Sequence, residues 1–394
     1  MRRPPSDDDS SSSDDASESD SSSSADSPAH RPSGSSSDDD EPLSSLLGKL
    51  STKAPAAAQQ EECPLPKRVD LRDYQEELLR KTDELFAQGA RSVLAYLPTG
   101  GGKTRVGGAA IAEWTAWRDG SRALFVVNRR SLLEQTRSSL AEQGFAPSAI
   151  GLIAGDASGP PRRGAVVHVA MVQSLHEGFL ASHAELLAEF SVVVVDECHA
   201  AAAPSYLALL RALSPSARVL GLTATPFRTS PEESLRAVFP RAVFGPSISS
   251  LIERRLLVPP RVYGPTNPRP IPSRPEEASI MLGAAVSHWQ RRAGGLRTVA
   301  FCDSVAHSKQ LAALFRAEGV AAEHVDGETH AKVRARAFAG LRDGTTLVLC
   351  NVDVLSEGFD EPALGCVLLL RPTQSPRVYV QQVGRGWCPS LNLP

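Results

Sequence analysis

The sequence predicts an α/β protein: two tandem parallel-sheet domains preceded by a disordered, acidic Ser/Asp-rich tail. Three observations carry this. From Arg72 onward, short aliphatic and β-branched runs alternate with amphipathic helical patterns; a proline-dense break at 259–275 divides that alternation in two; and residues 1–41 hold sixteen serines and twelve acidic side chains with almost nothing apolar. Strand and helix in alternation are the pattern of a parallel sheet covered on both faces. At 394 residues the chain has room for two or three domains of about 100–200 residues each.

The tail comes first. Its twelve acids against three arginines give a local balance of −9, so the formal net charge of −3 leaves the remaining 353 residues near +6. Such a segment buries too little surface to offset the entropy of ordering, and it sits beside a mildly basic body. Leu43, Leu46, Leu47 and Leu50 fall at helical spacing, which fits either a short recognition helix or a transient turn. The tail and an Ala/Gln-rich linker run to residue 66. The first domain is expected over 67–258, with strands at 93–97, 123–127, 166–170, 192–196 and 219–223. Between them, Leu132, Leu133, Thr136 and Leu140 keep one helical face apolar.

Seven of the seventeen residues in 259–275 are proline, which makes an extended, fairly stiff linker. The second domain, 276–394, repeats the alternation with strands at 298–301, 322–325, 346–350 and 367–370. A last helix is expected where Ser375 caps and Pro376 starts it, placing Gln381 and Arg385 four apart on one face. The longest apolar runs are far short of the ~20 residues of a spanning helix, so no membrane partner is expected. Six scattered cysteines without a CxxC pair argue against a disulfide scaffold or structural zinc and for a reducing compartment. The first residues show no secretory or transit pattern, and the expected location is intracellular, nuclear rather than organellar.

Two motifs carry chemistry. Residues 97–104, Leu-Pro-Thr99-Gly100-Gly101-Gly102-Lys103-Thr104, follow a strand and open a helix, the context of a phosphate-binding loop. Glycine backbone N–H groups close on phosphates, Lys103 reaches them with its charge, and the Thr104 hydroxyl is a ligand for Mg2+. The strict G-x4-GK[ST] pattern fails only at its first position, Leu97. The second motif, Asp196-Glu197-Cys198-His199, ends the most apolar strand. In an open α/β sheet ligands bind at the carboxyl ends of strands, so this tetrad faces the same crevice. Asp196 would hold the Mg2+ shell and Glu197 would orient and deprotonate an attacking water.

The tetrad resembles the DExH box of superfamily-two helicases, and further motifs of that family stand in order. Arg72-Asp73-Tyr74-Gln75 resembles the adenine-reading segment, with Gln75 at the base edge. Thr223-Ala224-Thr225 resembles the third motif, which with His199 couples hydrolysis to domain movement. Residues 351–360, including Gly358 and Asp360, are similar to the fifth motif, and Gln381-Gln-Val-Gly384-Arg385-Gly386 to the sixth. The resemblance implies two RecA-like domains, ATP and Mg2+ in the cleft between them, Gly358 and Asp360 at the nucleotide, Gln381 and Arg385 facing the γ-phosphate, and Arg385 as an arginine finger. Arg129-Arg130 and Gln173-Ser174 match the family's strand-contacting motifs.

The strings at 198–206, 352–360 and 371–375 look like the branch that holds XPB-type repair helicases, RadD and restriction-enzyme translocase subunits. That likeness implies DNA as the partner ahead of RNA; the acidic tail, read from its own composition, is either a segment that competes with DNA for the basic body or a solubilising, protein-partner-binding one. One position departs from the family: the sixth motif reads Q-x-x-G-R-x-x-R, and residue 388 is Cys388. The last strand that completes the family's second sheet is also missing before Pro394, so the second domain is expected to be incomplete. Three functions therefore compete: an ATP-dependent DNA helicase or translocase, an ATP-binding nucleic-acid module with weak turnover, and an RNA helicase.

Overall fold

The strand-forming runs are apolar at nearly every position because both faces of each sheet are covered. In a computed structural model, the described residues are 65–116, 119–155, 159–226, 235–264, 275–355, 361 and 363–386. The acidic tail, Gly358, Asp360 and Cys388 lie outside them.

The first domain runs α1 (Asp73–Ala87), β1 (Ser92–Tyr96), α2 (Lys103–Trp114), β2 (Arg122–Val127), α3 (Arg130–Glu142), β3 (Ile150–Ile153), β4 (Val167–Met171), α4 (Glu177–Ser182), α5 (Ala184–Glu189), β5 (Phe190–Val195), α6 (Pro204–Ala212), β6 (Arg218–Thr223), β7 (Arg241–Phe244) and α7 (Ile248–Glu253). Its sheet has the order β3-β4-β2-β5-β6-β1-β7, and every neighbouring pair is parallel. Successive residues of one strand enter two different cores: Phe125 and Val127 pack on one face of the sheet, Leu124 and Val126 on the other. The helical stripe Leu132, Leu133, Thr136 and Leu140 is buried as its spacing predicts, each leucine contributing about 1.5–3 kcal/mol of apolar burial.

The second domain runs α8 (Pro275–Ala293), β8 (Thr298–Cys302), α9 (Val305–Ala317), β9 (Ala322–Val325), α10 (Ala331–Asp343), β10 (Val348–Asn351), β11 (Cys366–Leu370) and α11 (Pro376–Val383). Its four strands, in the order β11-β8-β10-β9, are also all parallel. No helix among the described residues is long and apolar enough to cross a membrane.

Three features differ from the sequence expectation. Strands β3 and β7 add to the first sheet at its two edges. The α-helix of the sixth motif stops at Val383, and Gly384–Gly386 forms a 3-10 turn. Gln381 and Arg385 therefore do not share one continuous α-helical face, because glycine at 384 and 386 is a weak helix former. The strand expected over 346–350 starts later, at Val348.

The strand order places the chemistry. Because β6 lies between β5 and β1, the segments leaving all three carboxyl ends are adjacent: the glycine loop after β1, the acidic tetrad after β5 and Thr223 at the end of β6. Leu97 N donates to Thr223 O at 3.1 Å, and Asp196 N to Val126 O at 2.9 Å, which ties these segments to the sheet edge.

Candidate nucleotide site at the interdomain cleft

The glycine loop is shaped by backbone conformations that glycine alone adopts freely. Gly100 and Gly102 have φ of 78° and 81°, and a Cβ at Gly102 would lie 2.3 Å from Gln75 Nε2. The α2 N-terminus follows at once, with no side chain capping its first N–H groups. Those donors and the positive end of the helix dipole make an anion site.

Gln75 and Tyr74 brace this loop from α1. Gln75 Oε1 accepts from Arg72 N at 2.9 Å, its Nε2 donates to Gly101 O at 2.9 Å, and Tyr74 Oη donates to the same carbonyl at 3.1 Å. Gln75 is buried. In this structure its amide holds the loop instead of presenting itself at an open base edge, a long-range task that the sequence does not reveal.

The acidic pair lies opposite. Asp196 is buried, and its Oδ1 accepts from Glu197 N at 3.0 Å. Glu197 takes a left-handed backbone, φ 47°, a conformation that costs a non-glycine residue about 1–3 kcal/mol. That turn brings Glu197 Oε1 within 3.4 Å of Lys103 Nζ and Oε2 within 3.2 Å of His199 Nδ1. Burial, then the neighbouring Glu197 charge, pushes the Asp196 carboxyl up to about 6. Burial also acts to raise Glu197, but Lys103, the neighbouring His199 and Arg385 outweigh it and hold Glu197 at about 2. Cys198 packs against Gly221, where a Cβ would lie 2.8 Å from its Sγ; burial pushes this thiol far up, which suits packing and not reactivity.

Thr223 Oγ1 accepts from Thr225 N at 3.0 Å, so the two threonines at the end of β6 form one unit. Thr225 Oγ1 is buried without a hydrogen-bond partner among the described residues, as is Gln381 Nε2 of the second domain.

The second domain closes the site through α11. Ser375 Oγ accepts from Val378 N and Pro376 opens the helix, as its sequence predicts. Val380 and Val383 pack on the core of the first domain. Gly384 comes so close to the loop that a Cβ there would lie 2.7 Å from Thr99 Cβ. Arg385 lies near enough to Glu197 for its charge to lower that carboxyl. Arg377 Nη1 donates to His199 Nε2 at 2.8 Å, a cross-domain contact the sequence analysis missed. Its only signal is a cation in the first turn of a helix, against the dipole.

The donor chemistry fits Mg2+ and a polyphosphate. Thr104 and Asp196 offer hard oxygens, the glycine cradle and Lys103 offer phosphate donors, and the unpartnered Thr225 Oγ1 and Gln381 Nε2 offer further polar contacts.

The strand-contact candidates divide. Arg130 is exposed at the start of α3. Arg129 Nη1 donates to Asp353 O of the second domain at 2.9 Å, and Asp353, itself left-handed at φ 55°, also pairs with Arg371. Gln173 Nε2 donates to Asn128 O at 2.9 Å, linking the ends of β4 and β2. Ser174, matched with Gln173 to a strand-contacting motif, is buried at the end of the short 3-10 segment that follows β4.

Comparison with known proteins gives two family matches: the type III restriction enzyme, res subunit, over residues 68–228, and the helicase conserved C-terminal domain over 281–389. A Schizosaccharomyces pombe protein named as a mitochondrial ATP-dependent helicase, irc3, is 30% identical over 345 residues, covering 81% of this chain and 55% of its own length. Among solved structures, a fragment of an HsdR-type subunit of a type I restriction enzyme from Vibrio vulnificus superposes with a TM-score of 0.59 at 20% identity, covering 82% of this chain and 62% of that one. Saccharomyces cerevisiae Dbp5 bound to RNA superposes with 0.58 at 19% identity, covering 79% of each chain. The chain spans about half to three-fifths of the length of the curated relatives it matches. The mitochondrial relative gives the expected nuclear location no support.

Proposed function

From the premise that the chain belongs to the superfamily-two helicases of the restriction-translocase branch, we propose that it is an ATP-dependent DNA helicase or translocase, hydrolysing Mg-ATP in the cleft between its two RecA-like domains. The observation that carries this reading is the chain of contacts across the cleft: Lys103 to Glu197, Glu197 to His199, and His199 to Arg377 of the other domain.

In this reading Gly100, Gly101 and Gly102 cradle the phosphates, and Thr99 lines the loop where Gly384 meets it. Lys103 binds the outer phosphates, and Thr104 and Asp196 would hold Mg2+, which would supply charge neutralisation on the phosphate oxygens. Glu197 orients water and takes its proton. At about 2 it is a weak base, but Lys103 is the foremost of the groups that lower it. When Lys103 turns to a phosphate, Glu197 loses that partner and its basicity rises. Gln381 and Arg385 approach from the second domain, so turnover depends on closure. His199, Thr223 and Thr225 transmit closure to the first domain. Gly358 and Asp360 are carried over from the fifth motif alone.

The restriction-enzyme likeness supports DNA. Arg129, Arg130 and Gln173 stand at the carboxyl edge of the first sheet, where phosphate contacts give sequence-independent grip. The acidic tail is assigned to protein partners. The test is ATP turnover with duplex DNA, single-stranded DNA or RNA as stimulator. Stimulation by DNA above RNA is the expected result, and stimulation by RNA alone identifies an RNA helicase.

A second reading rests on Cys388. A neutral side chain where the family places a second arginine favours an ATP-binding module with weak turnover, since a finger is worth about 10^3 or more in rate. Tight ATP binding with negligible turnover on every nucleic acid would select it.

A further inference from the structure

Resting on the hydrolytic reading of Glu197, we infer that Arg377 is a positioning residue that selects the tautomer of His199 and thereby orients the carboxylate of Glu197. A guanidinium has five N–H donors and no acceptor. Arg377 Nη1 stands 2.8 Å from His199 Nε2, so that ring nitrogen presents its lone pair to the arginine. The ring proton then resides on Nδ1, which stands 3.2 Å from Glu197 Oε2, within ion-pair range though not aligned as a hydrogen bond. The opposite tautomer would point an N–H at the guanidinium and a lone pair at the carboxylate, repulsive at both ends.

Both ring and carboxylate are shielded, with side chains 4% and 12% exposed. Water therefore has little room to replace either contact, and a lost donor is not readily substituted. Glu197 Oε1 faces Lys103, so each carboxylate oxygen has a positively polarised neighbour. Once Lys103 engages a phosphate, the His199 ring stays beside Oε2 to bias the carboxylate plane against the water it must orient.

The location of Arg377 has no explanation in helix stability. It is the second residue of α11, after Pro376 and the Ser375 cap, where the dipole disfavours a cation. It lies four residues before the buried Gln381, so both reach toward the first domain from one face. The donor arrives only when α11 is docked, so the tautomer of His199 reports closure to the base itself.

The experiment compares wild type, Arg377→Met, Arg377→Lys, His199→Ala and the Arg377→Met/His199→Ala double variant in full-length protein. ATP turnover is read with DNA present. In parallel, ring 15N NMR is read on [15N]histidine-labelled, nucleotide-free chain, the His199 signal being the one of nine that His199→Ala removes. Arg377→Met is expected to lower kcat about tenfold or more with KM for ATP little changed, and to move the His199 proton off Nδ1. Arg377→Lys, which keeps a donor, recovers part of both, and in the His199→Ala background Arg377→Met has no further effect. An arginine that merely packs the helix would change neither the ring signal nor its rescue by lysine. A His199 signal that keeps Nδ1–H in Arg377→Met, or an unchanged kcat, overturns the inference. If wild type turns over no ATP with any nucleic acid, it is the functional reading that falls, and the ring signal alone still decides the role of Arg377.

Discussion

Gly384→Ala isolates the contact between the two domains. Gly384 has φ −58° and ψ −20°, right-handed values, so alanine is unstrained there and favoured over glycine by about 0.4–1 kcal/mol through the entropy of the unfolded chain. The backbone is therefore no obstacle, and any loss must come from packing. The added Cβ would lie 2.7 Å from Thr99 Cβ, 2.8 Å from its Cγ2 and 3.0 Å from its Oγ1. Rotation about χ1 of Thr99 moves the last two atoms but not Cβ, which is fixed to the backbone. Carbon atoms rest at about 3.5–4.0 Å, so α11 and the loop must separate by roughly 1 Å. A misplacement of about 1 Å can lower turnover on the order of 10^2-fold, here by withdrawing Arg385 and Gln381 from the site. The assay is DNA-stimulated ATP turnover beside thermal unfolding: kcat should fall steeply while the unfolding midpoint holds or rises slightly. Turnover at the wild-type level would mean that Gly384 and Thr99 do not meet in the working state, and the closure argument would fail.

Other expectations follow from single groups. Lys103→Ala should abolish ATP turnover and weaken nucleotide binding, both measurable with a fluorescent ATP analogue, since it removes the lysine that faces Glu197 in the loop. Glu197→Gln should keep nucleotide binding but stop turnover, because the amide holds water without taking its proton; an equal loss of binding would contradict that division of labour. Cys388→Arg should raise the DNA-stimulated rate and leave ATP affinity nearly unchanged, and equal rates would remove the main support for the weak-turnover reading. His168 is buried in β4, and burial foremost, with the Arg122 charge, lowers it from 6.5 to about 4. Its neutral form is the one the fold favours, so the stability is complete above about pH 6.5 and is lost as pH falls toward 4, about 3 kcal/mol in all. Urea unfolding of wild type against His168→Leu across that window should show the variant with the flatter pH profile, and parallel profiles would refute the assignment.

Most of the fold was legible, and the edges of the first sheet were not. Nine strands announce themselves as largely apolar runs, and the sequence places each within two residues, the second sheet's edges β9 and β11 included. Strands β3 and β7, the two edges of the first sheet, escaped. Each has four residues; Ile150–Ile153 carries a glycine, and in Arg241–Phe244 only Val243 is buried. At the candidate site, Lys103, Asp196 and Glu197 were legible because each motif is contiguous and its strand context can be read locally. The brace from Gln75 to Gly101, the Arg377–His199 contact and the Arg129–Asp353 contact were not, because each joins residues far apart in sequence.

Those long-range contacts share a logic that separate motifs conceal. Among the described residues, these cross-cleft contacts fall on two short stretches of the second domain, Asp353 and the segment from Arg377 to Arg385. Arg377 reaches His199, Gly384 the glycine loop, Arg385 the Glu197 carboxylate, and Asp353 the end of β2 at Arg129. Under the proposed function, a rigid-body rotation of one domain therefore disturbs nucleotide chemistry and nucleic-acid grip together, as hinge closure around a ligand requires. Arg129 Nη1 donates to the Asp353 carbonyl of the second domain, while Arg371 of that domain pairs with the Asp353 side chain; under the proposed function a nucleic-acid phosphate at the same edge would be a second, fully charged acceptor for Arg129.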